Sequence, residues 1–218
     1  EAVRQINPKI KIYQASSSEM FGNSIDDDGY QRETTPLTPV SPYGCSKVFS
    51  YNISNNYKNS YDMFISNGIL FNHESPRRGL NFVTNKVVKV AVDIKRGRAK
   101  SLPLGTLEAS RDWGHAKDYV EAMWLMLQQE IPGDYVIATG ESRSVKEFLD
   151  RTFEIAGLEV ENHVEIDSRF FRPHEVPYLL GDSSKARKEL AWEPKTSFEE
   201  LVRIMYESDY DVAKKDFK

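Results

Sequence analysis

The chain has 218 residues, of which 39% are hydrophobic and 28% charged, and its formal net charge is -4. These proportions are near those of globular domains, and the length is sufficient for one or two domains with a buried core. No apolar run approaches the roughly 20 residues of a membrane span, and the acidic balance argues against a general nucleic-acid surface. Cys45 is the only cysteine, which excludes an internal disulfide and a cysteine-rich metal site. We therefore expect a cytoplasmic protein that binds no membrane, no nucleic acid and no metal.

Apolar periodicity and turn residues predict strands that alternate with helices. The predicted strands are residues 10–15, 63–71, 102–104, 135–139 and 164–166. The predicted helices are residues 43–59, 82–96, 116–129, 144–156, 185–190 and 197–214, and the chain opens in what reads as the tail of a helix. This alternation indicates an α/β fold with parallel pairing. Residues 26–35 are polar and turn-rich and predict an exposed loop.

The first predicted strand is followed by a serine cluster and a carboxylate, Ser16-Ser17-Ser18-Glu19. The Ser17 hydroxyl is able to donate a hydrogen bond to an oxygen that loses its proton, and Glu19 is able to take a proton from a carbon made acidic by an adjacent ketone. The pattern Ser16-x-x-Glu19 is also a capping box, which would only begin a helical turn. This segment alone leaves both interpretations open.

A second segment, residues 41–47, reads SPYGCSK. A serine followed by proline is typical of a helix start, and Tyr43 and Lys47 then lie on one face of that helix. An ammonium group beside a phenol favours the phenolate, so Tyr43 is a candidate base. The same spacing recurs at Tyr210 and Lys214 in a polar helix. The preceding strand and serine cluster, rather than the spacing itself, therefore favour an active site.

Longer motifs follow along the chain. They are NGILFNHESPRRG at 67–79, RDWGHAKDYVEAMW at 111–124, YVIATG at 135–140, Arg172-Pro173 and Gly181-Asp182. Together with the first two segments they resemble the short-chain dehydrogenase family in its extended, sugar-nucleotide-modifying form, and within it the GDP-mannose 4,6-dehydratases. The resemblance covers residues 13–213.

The resemblance implies an enzyme that uses tightly held NADP to act on GDP-mannose. It would oxidise C4 of the mannose, eliminate water across C5 and C6, reduce C6, and release GDP-4-keto-6-deoxymannose. Tyr43 would remove the 4-hydroxyl proton, and Lys47 would hold the nicotinamide ribose. Ser17 would polarise the 4-oxygen, and Glu19 would act at C5 and assist departure of the 6-hydroxyl.

The resemblance also implies binding residues. Contacts with the cofactor fall on Tyr43, Lys47, His73 and Arg78, and contacts with the GDP-sugar fall on Asn72, Lys86, Arg111, Arg172 and Glu175. Arginine suits a diphosphate because its fork geometry permits bidentate contacts, and Glu175 would accept hydrogen bonds from a ribose hydroxyl. Singly, such basic residues and a lone histidine are more often solvated or structural. The shared motifs reverse that judgement for the set.

For the fold, the resemblance implies the C-terminal part of a Rossmann-like parallel sheet with an interleaved smaller α/β substrate-binding domain. Residues 1–71 would form the catalytic part of the Rossmann-like domain, and residues 72–218 mainly the substrate-binding domain. It also implies a homo-oligomer, either a dimer or a tetramer. The glycine-rich turn that meets the pyrophosphate in this family is not found in the sequence. We therefore expect a C-terminal fragment that lacks on the order of one hundred residues and most cofactor contacts.

Several positions depart from the family pattern. Ser17 stands where threonine is common and keeps the hydroxyl donor. Asn85 replaces a common arginine, and Thr106 and Ser110 replace a common asparagine and lysine ahead of Arg111. These three changes concern nucleotide and subunit contacts.

Two other classes of function stay open. A GDP-sugar reductase or epimerase would share Tyr43 and Lys47 but would need no carboxylate at Glu19. A non-catalytic fragment would bind a GDP-sugar or associate with itself through exposed sheet edges.

Overall fold

The computed structural model describes residues 1–171 and 176–215. Within these residues the α-helices are α1 Ala2–Ile6, α2 Pro42–Tyr61, α3 Val83–Lys95, α4 Ala116–Gln128, α5 Val145–Ala156, α6 Ser184–Leu190 and α7 Phe198–Lys215. The strands are β1 Ile12–Ser17, β2 Ile65–Leu70, β3 Asn72–Glu74, β4 Leu102–Leu104, β5 Ser110–His115, β6 Asp134–Ile137, β7 Ser142–Ser144 and β8 Val164–Ile166. The predicted α/β alternation is confirmed.

The main sheet is parallel and has the strand order β1-β2-β6. Every residue of β2 is buried, which is typical of a central strand covered on both faces. Ser17 of β1 pairs with Leu70 of β2, and Leu70 pairs with Ile137 of β6. The three strands therefore end at the same edge of the sheet, where parallel α/β folds commonly bind ligands.

Two smaller sheets complete the described part of the chain. The first has the order β3-β5-β7, with β3 parallel and β7 antiparallel to β5. Only Phe71 separates β2 from β3, so this residue joins the main sheet to the first smaller sheet. The second consists of the parallel pair β4 and β8.

The buried apolar side chains form two clusters. One surrounds the main sheet and includes Met20, Ile69, Tyr119, Val136 and Trp192. The other packs α3, α5 and α7 together and includes Val88, Leu104, Trp113, Leu149 and Met205. The two clusters alternate along the chain, since residues 119–138 of the first lie between residues 87–113 and 145–156 of the second.

The predicted helices lie within two residues of the observed ones because their ends carry local signals. Ser41 caps α2 through a 3.0 Å bond from the Gly44 N–H, and Pro42 occupies the first turn. Ser144 and Glu147 form the predicted capping box of α5. That helix ends at Gly157, whose φ of 63° is a left-handed conformation that favours glycine.

The strand predictions were less complete. Residues 102–104 and 164–166 are confirmed, whereas the first strand runs over 12–17 and includes Ser17. Strands β3, β5 and β7 were not predicted. The expected exposed loop at 26–35 is wrong for Gln31 and Thr35, which are buried. Arg32 bonds to Asp182 at 2.8 Å and so ties this loop to the start of α6.

Candidate active site

The serine cluster lies where β1 ends and a short 3-10 turn, Ser18–Met20, begins. Ser17 caps this turn, since its Oγ accepts a 3.2 Å hydrogen bond from the Glu19 N–H. The capping-box interpretation of Ser16 and Glu19 is therefore wrong, because the capping oxygen belongs to Ser17. The Ser16 hydroxyl is buried and has no hydrogen-bond partner among the described residues.

The start of α2 packs directly against this turn. A Cβ atom added to Gly44 would lie 2.7 Å from the Glu19 carbonyl oxygen, so only glycine permits this approach. The Lys47 ammonium donates a 2.9 Å hydrogen bond to the Ala15 carbonyl and lies 5.5 Å from the centroid of the Tyr43 ring. Tyr43 is 54% exposed. The four predicted catalytic residues thus lie side by side at the carboxyl edge of the main sheet.

Beside this group is a cavity of about 240 Å³. Four predicted site residues, drawn from four separate segments, line it: Glu19, Asn72, Lys86 and Arg111. The Lys86 ammonium bonds to the Pro103 carbonyl and lies 3.8 Å from the centroid of the Phe170 ring. Desolvation lowers the Lys86 pKa, while the nearby Asp167 carboxylate opposes that shift. The cavity wall therefore carries two carboxyl groups, Glu19 and Glu74, and two basic side chains, Lys86 and Arg111.

The two predicted cofactor residues of the NHESPRRG motif lie next to this cavity. His73 stacks on Tyr119 with ring centroids 5.0 Å apart, and its Nδ1 is 2.8 Å from the Phe71 carbonyl oxygen. Burial lowers the His73 pKa from its ordinary value of 6.5 and so favours the neutral ring. Arg78 covers the ring of Phe82, with its guanidinium 3.4 Å from the ring centroid.

Five other positions were singled out in the sequence, and the structure describes three of them. Arg172 and Glu175 lie outside the described residues. The Asn85 amide bonds to the Arg78 carbonyl, and Thr106 lines the cavity. The Ser110 hydroxyl bonds to the Glu108 carbonyl at 3.2 Å.

Comparison with known proteins decides the family. The sequence model of the family described as GDP-mannose 4,6 dehydratase matches residues 1–205. The chain belongs to this family. GDP-mannose 4,6 dehydratase 1 of Arabidopsis thaliana is 54% identical over 220 residues, which covers 99% of this chain and 60% of that protein. GDP-mannose 4,6 dehydratase of Homo sapiens is 47% identical over 220 residues, which covers 93% of this chain and 59% of that protein.

The chain spans less than two thirds of the length of these GDP-mannose 4,6-dehydratase relatives. Comparison with solved structures also supports the α/β fold with a parallel sheet. dTDP-glucose 4,6-dehydratase from Bacillus anthracis in complex with NAD gives a TM-score of 0.85 at 25% identity and covers 98% of this chain and 65% of that chain. RMD from Pseudomonas aeruginosa complexed with NADPH gives 0.84 at 18% identity over 93% of this chain and 67% of that chain.

One buried carboxylate of this dehydratase-family chain was missed by sequence reasoning. Asp112 accepts bonds from the Thr139 N–H at 2.8 Å, the Thr139 hydroxyl at 2.7 Å and the Gly140 N–H at 2.9 Å. Burial raises its pKa to about 6, and these bonds act in the opposite direction. Asp112 thus joins β5 to the turn after β6. The motif assigned a role to the neighbouring Arg111 but none to Asp112. No local sequence pattern shows that this aspartate is buried.

Two negative findings apply to the described residues. No group of three histidine, cysteine or acidic side chains there is arranged to hold a metal ion. No helix in that part of the chain is long and apolar enough to cross a membrane.

Proposed function

We propose that this chain carries the proton-transfer and sugar-nucleotide-binding part of a GDP-mannose 4,6-dehydratase, which converts GDP-mannose to GDP-4-keto-6-deoxymannose and water. One observation carries the proposal: Glu19 lines the same cavity as Lys86 and Arg111, and its backbone packs against the helix start that bears Tyr43. A GDP-sugar reductase or epimerase would need no carboxylate at this position. Dehydration is therefore favoured over both alternatives.

In the first step, Tyr43 accepts the proton of the sugar 4-hydroxyl. Ser17 supports this step because its oxygen already accepts the Glu19 N–H, which leaves its own hydrogen available to the 4-oxygen. The Ala15 carbonyl holds the Lys47 ammonium 5.5 Å from the centroid of the Tyr43 ring.

In the elimination step, Glu19 takes the C5 proton, which the 4-keto group makes acidic. The electron pair of the C5–H bond forms the C5–C6 double bond, and the 6-hydroxyl leaves as water after it receives a proton from Glu19. General acid–base catalysis of this kind typically contributes about 10²–10⁴-fold. C6 would then receive the hydride that was removed from C4 and C5 would regain a proton, so the whole reaction removes one water and involves no net oxidation.

We assign NADP as the cofactor, which when bound supplies the reversible oxidation of the sugar. Tyr43, Lys47, His73 and Arg78 would hold it. Lys47 and Arg78 are cationic, so this donor set suits an anionic dinucleotide. The NAD and NADPH complexes of the two structural relatives support a pyridine dinucleotide. The choice of NADP over NAD rests on the family resemblance.

Substrate binding would fall to the cavity wall. Lys86 and Arg111 would neutralise the diphosphate of GDP-mannose, and Asn72 would bond to the sugar or nucleotide. Arg172 and Glu175 are assigned to the same ligand from the family motif alone.

A titration tests this proposal. Calorimetric titration of the 218-residue chain with GDP-mannose should show binding. Lys86→Ala should weaken it about tenfold or more because a charge-assisted contact with phosphate is lost. Lys89→Ala is the matched control, since this lysine is exposed on the same helix outside the cavity lining. No binding by the unaltered chain, or equal affinity for both variants, would contradict the proposal.

We further propose a cytoplasmic homo-oligomer. Phe49 and Ile53 support association because they stand one turn apart on α2 and are 68% and 43% exposed. The dimer and the tetramer both fit this observation.

A further inference from the structure

A buried carboxylate beside the cavity has no role in the reaction as derived above. Glu74 is the last residue of β3 and is 1% exposed. It lines the same cavity as Glu19 and Lys86. A carboxylate that is removed from water in this way needs partners to offset its desolvation.

Two partners flank the Glu74 carboxylate. The Thr84 hydroxyl donates a 2.7 Å hydrogen bond to Oε2. The Nε atom of Arg78 lies 3.1 Å from the same oxygen, in an orientation outside the range of a hydrogen bond, so this contact is an ion pair. Burial raises the Glu74 pKa, while the Arg78 charge and the Thr84 bond oppose that shift.

The Glu74–Thr84 hydrogen bond joins the two ends of segment 75–82, since Glu74 directly precedes the segment and Thr84 lies just after it. Arg78 is held through its side chain by Glu74 and through its carbonyl by the Asn85 amide. Thr84 belongs to the first turn of α3, whose N-cap residue Phe82 makes no side-chain capping bond. Asn81 and Phe82 of this segment line the cavity, as does Val83, the first residue of α3.

We propose that Glu74 is a positioning residue that holds Arg78 and the first turn of α3 in place and so keeps segment 75–82 closed over the cavity. Arg78 then faces the proposed cofactor side while Lys86, further along α3, faces the proposed substrate side. The ligands in this statement rest on the proposed function, whereas the closure of the segment does not.

Glutamine is the informative substitution at this position. Glu74→Gln keeps the side-chain volume and an oxygen that accepts from Thr84, but it removes the charge that holds Arg78. If Glu74 acted only by filling space, Glu74→Gln would leave the position of segment 75–82 unchanged. If Glu74 acts through Arg78, the same substitution should release the segment.

Hydrogen exchange on the 218-residue chain tests the closure without any ligand. E74Q should speed exchange in segment 75–82 about tenfold or more, because a charged contact is lost there. R78M should have the same effect, and the double variant E74Q/R78M should add little to either. Unchanged exchange in E74Q, or a full additional effect in the double variant, would overturn the proposal.

Two further variants complete the experiment. E33Q is the matched control, because Glu33 accepts a 2.7 Å bond from the Val136 N–H at the main sheet and should leave segment 75–82 unchanged. If E74Q fails to fold, R78M decides alone, since the Arg78 side chain is 21% exposed and is therefore less buried than the Glu74 side chain, at 1%. Unaltered exchange of segment 75–82 in R78M would overturn the proposal.

Titration with GDP-mannose separates this inference from the proposed function. E74Q should lower the affinity about tenfold, in parallel with the faster exchange. If the unaltered chain binds no GDP-mannose but the variants show the predicted exchange pattern, the proposed function is contradicted. The role of Glu74 as the positioning residue of the segment would still hold. Faster exchange with full affinity in E74Q would overturn its link to the cavity.

Discussion

At the scale of single residues, the site depends on how Ser17 divides its hydrogen bonds. Its oxygen accepts a hydrogen bond from the Glu19 N–H and so orients the turn from which the Glu19 side chain lines the cavity. Its hydrogen is free for a substrate oxygen. We therefore expect a serine to be sufficient where the family often has threonine, because its hydroxyl is able to make both contacts.

Replacement of the carboxylate tests the elimination step. In a chain extended to the full length of its relatives, Glu19→Gln should lower dehydration by about 10²-fold or more, since glutamine cannot take the C5 proton. Affinity for GDP-mannose should stay within about threefold because the side chain keeps its size. A product assay and calorimetry measure the two quantities. Glu165→Gln, on exposed β8, is the control, and normal turnover by Glu19→Gln would refute the role.

His73 gives a prediction about pH. Burial lowers its pKa from 6.5 in the folded state, so the folded protein favours the neutral ring. The unfolded chain then binds more protons as pH falls below 6.5, and the stabilising contribution of His73, present above that pH, is progressively lost. Urea unfolding should therefore show that the stability difference between the unaltered chain and His73→Gln shrinks from pH 7 to pH 5.5. His163→Gln is the control, and a difference that grows on acidification would contradict the sign.

At the scale of elements, the start of α2 determines how the catalytic groups meet. Ser41 caps the helix at 3.0 Å, and Gly44 permits the helix to approach the 3-10 turn. Because Tyr43 and Lys47 occupy the first and second turns of this helix, their distance from Glu19 depends on that approach.

A methyl group at Gly44 tests this packing. Gly44→Ala would place Cβ 2.7 Å from the Glu19 carbonyl oxygen and 2.9 Å from Pro39 Cβ. We expect a loss of about 1–3 kcal/mol in the free energy of unfolding from overpacking, together with reduced dehydration. Cys45→Ala, at the exposed next position, should stay within about 0.5 kcal/mol. Full stability and turnover in Gly44→Ala would show that the contact is unimportant.

At the scale of the whole molecule, the chain path links two apolar cores. Residues 20–21, 69–71, 119–138 and 176–192 contribute to the core of the main sheet, whereas residues 87–113, 145–156 and 201–206 contribute to the other core. The cavity lies where these parts meet, since Glu19 comes from the first part and Lys86 from the second. We therefore propose that the interleaved substrate-binding domain implied by the resemblance is formed in this way.

The exposed face of α2 predicts association. Phe49→Glu should shift the chain toward monomer, because a charge would replace a 68% exposed phenyl group at the proposed contact. Size-exclusion chromatography with light scattering measures this shift, and unfolding should change by less than about 0.5 kcal/mol. Asn59→Glu adds the same charge near the end of the same helix and should leave the mass unchanged. Equal masses for all three chains would contradict association through this face.

Local signals explain why most elements were predictable. The Ser41-Pro42 start of α2 and the capping box of α5 act within a few residues, so the sequence shows them directly. The strand Ser110–His115 was missed because its residues SRDWGH have no alternating pattern. Its backbone is satisfied by pairing with β3 and β7, which are distant in sequence.

The sequence by itself determined the α/β order, the helix ends and the motifs that connect this chain to its family, because each of these depends on nearby residues. The tertiary structure decided which side chains meet. Glu19, Asn72, Lys86 and Arg111 share one cavity, and Glu74 holds Arg78 beside it. These relations depend on how strands pair and helices pack across long sequence distances, and no local pattern encodes that pairing.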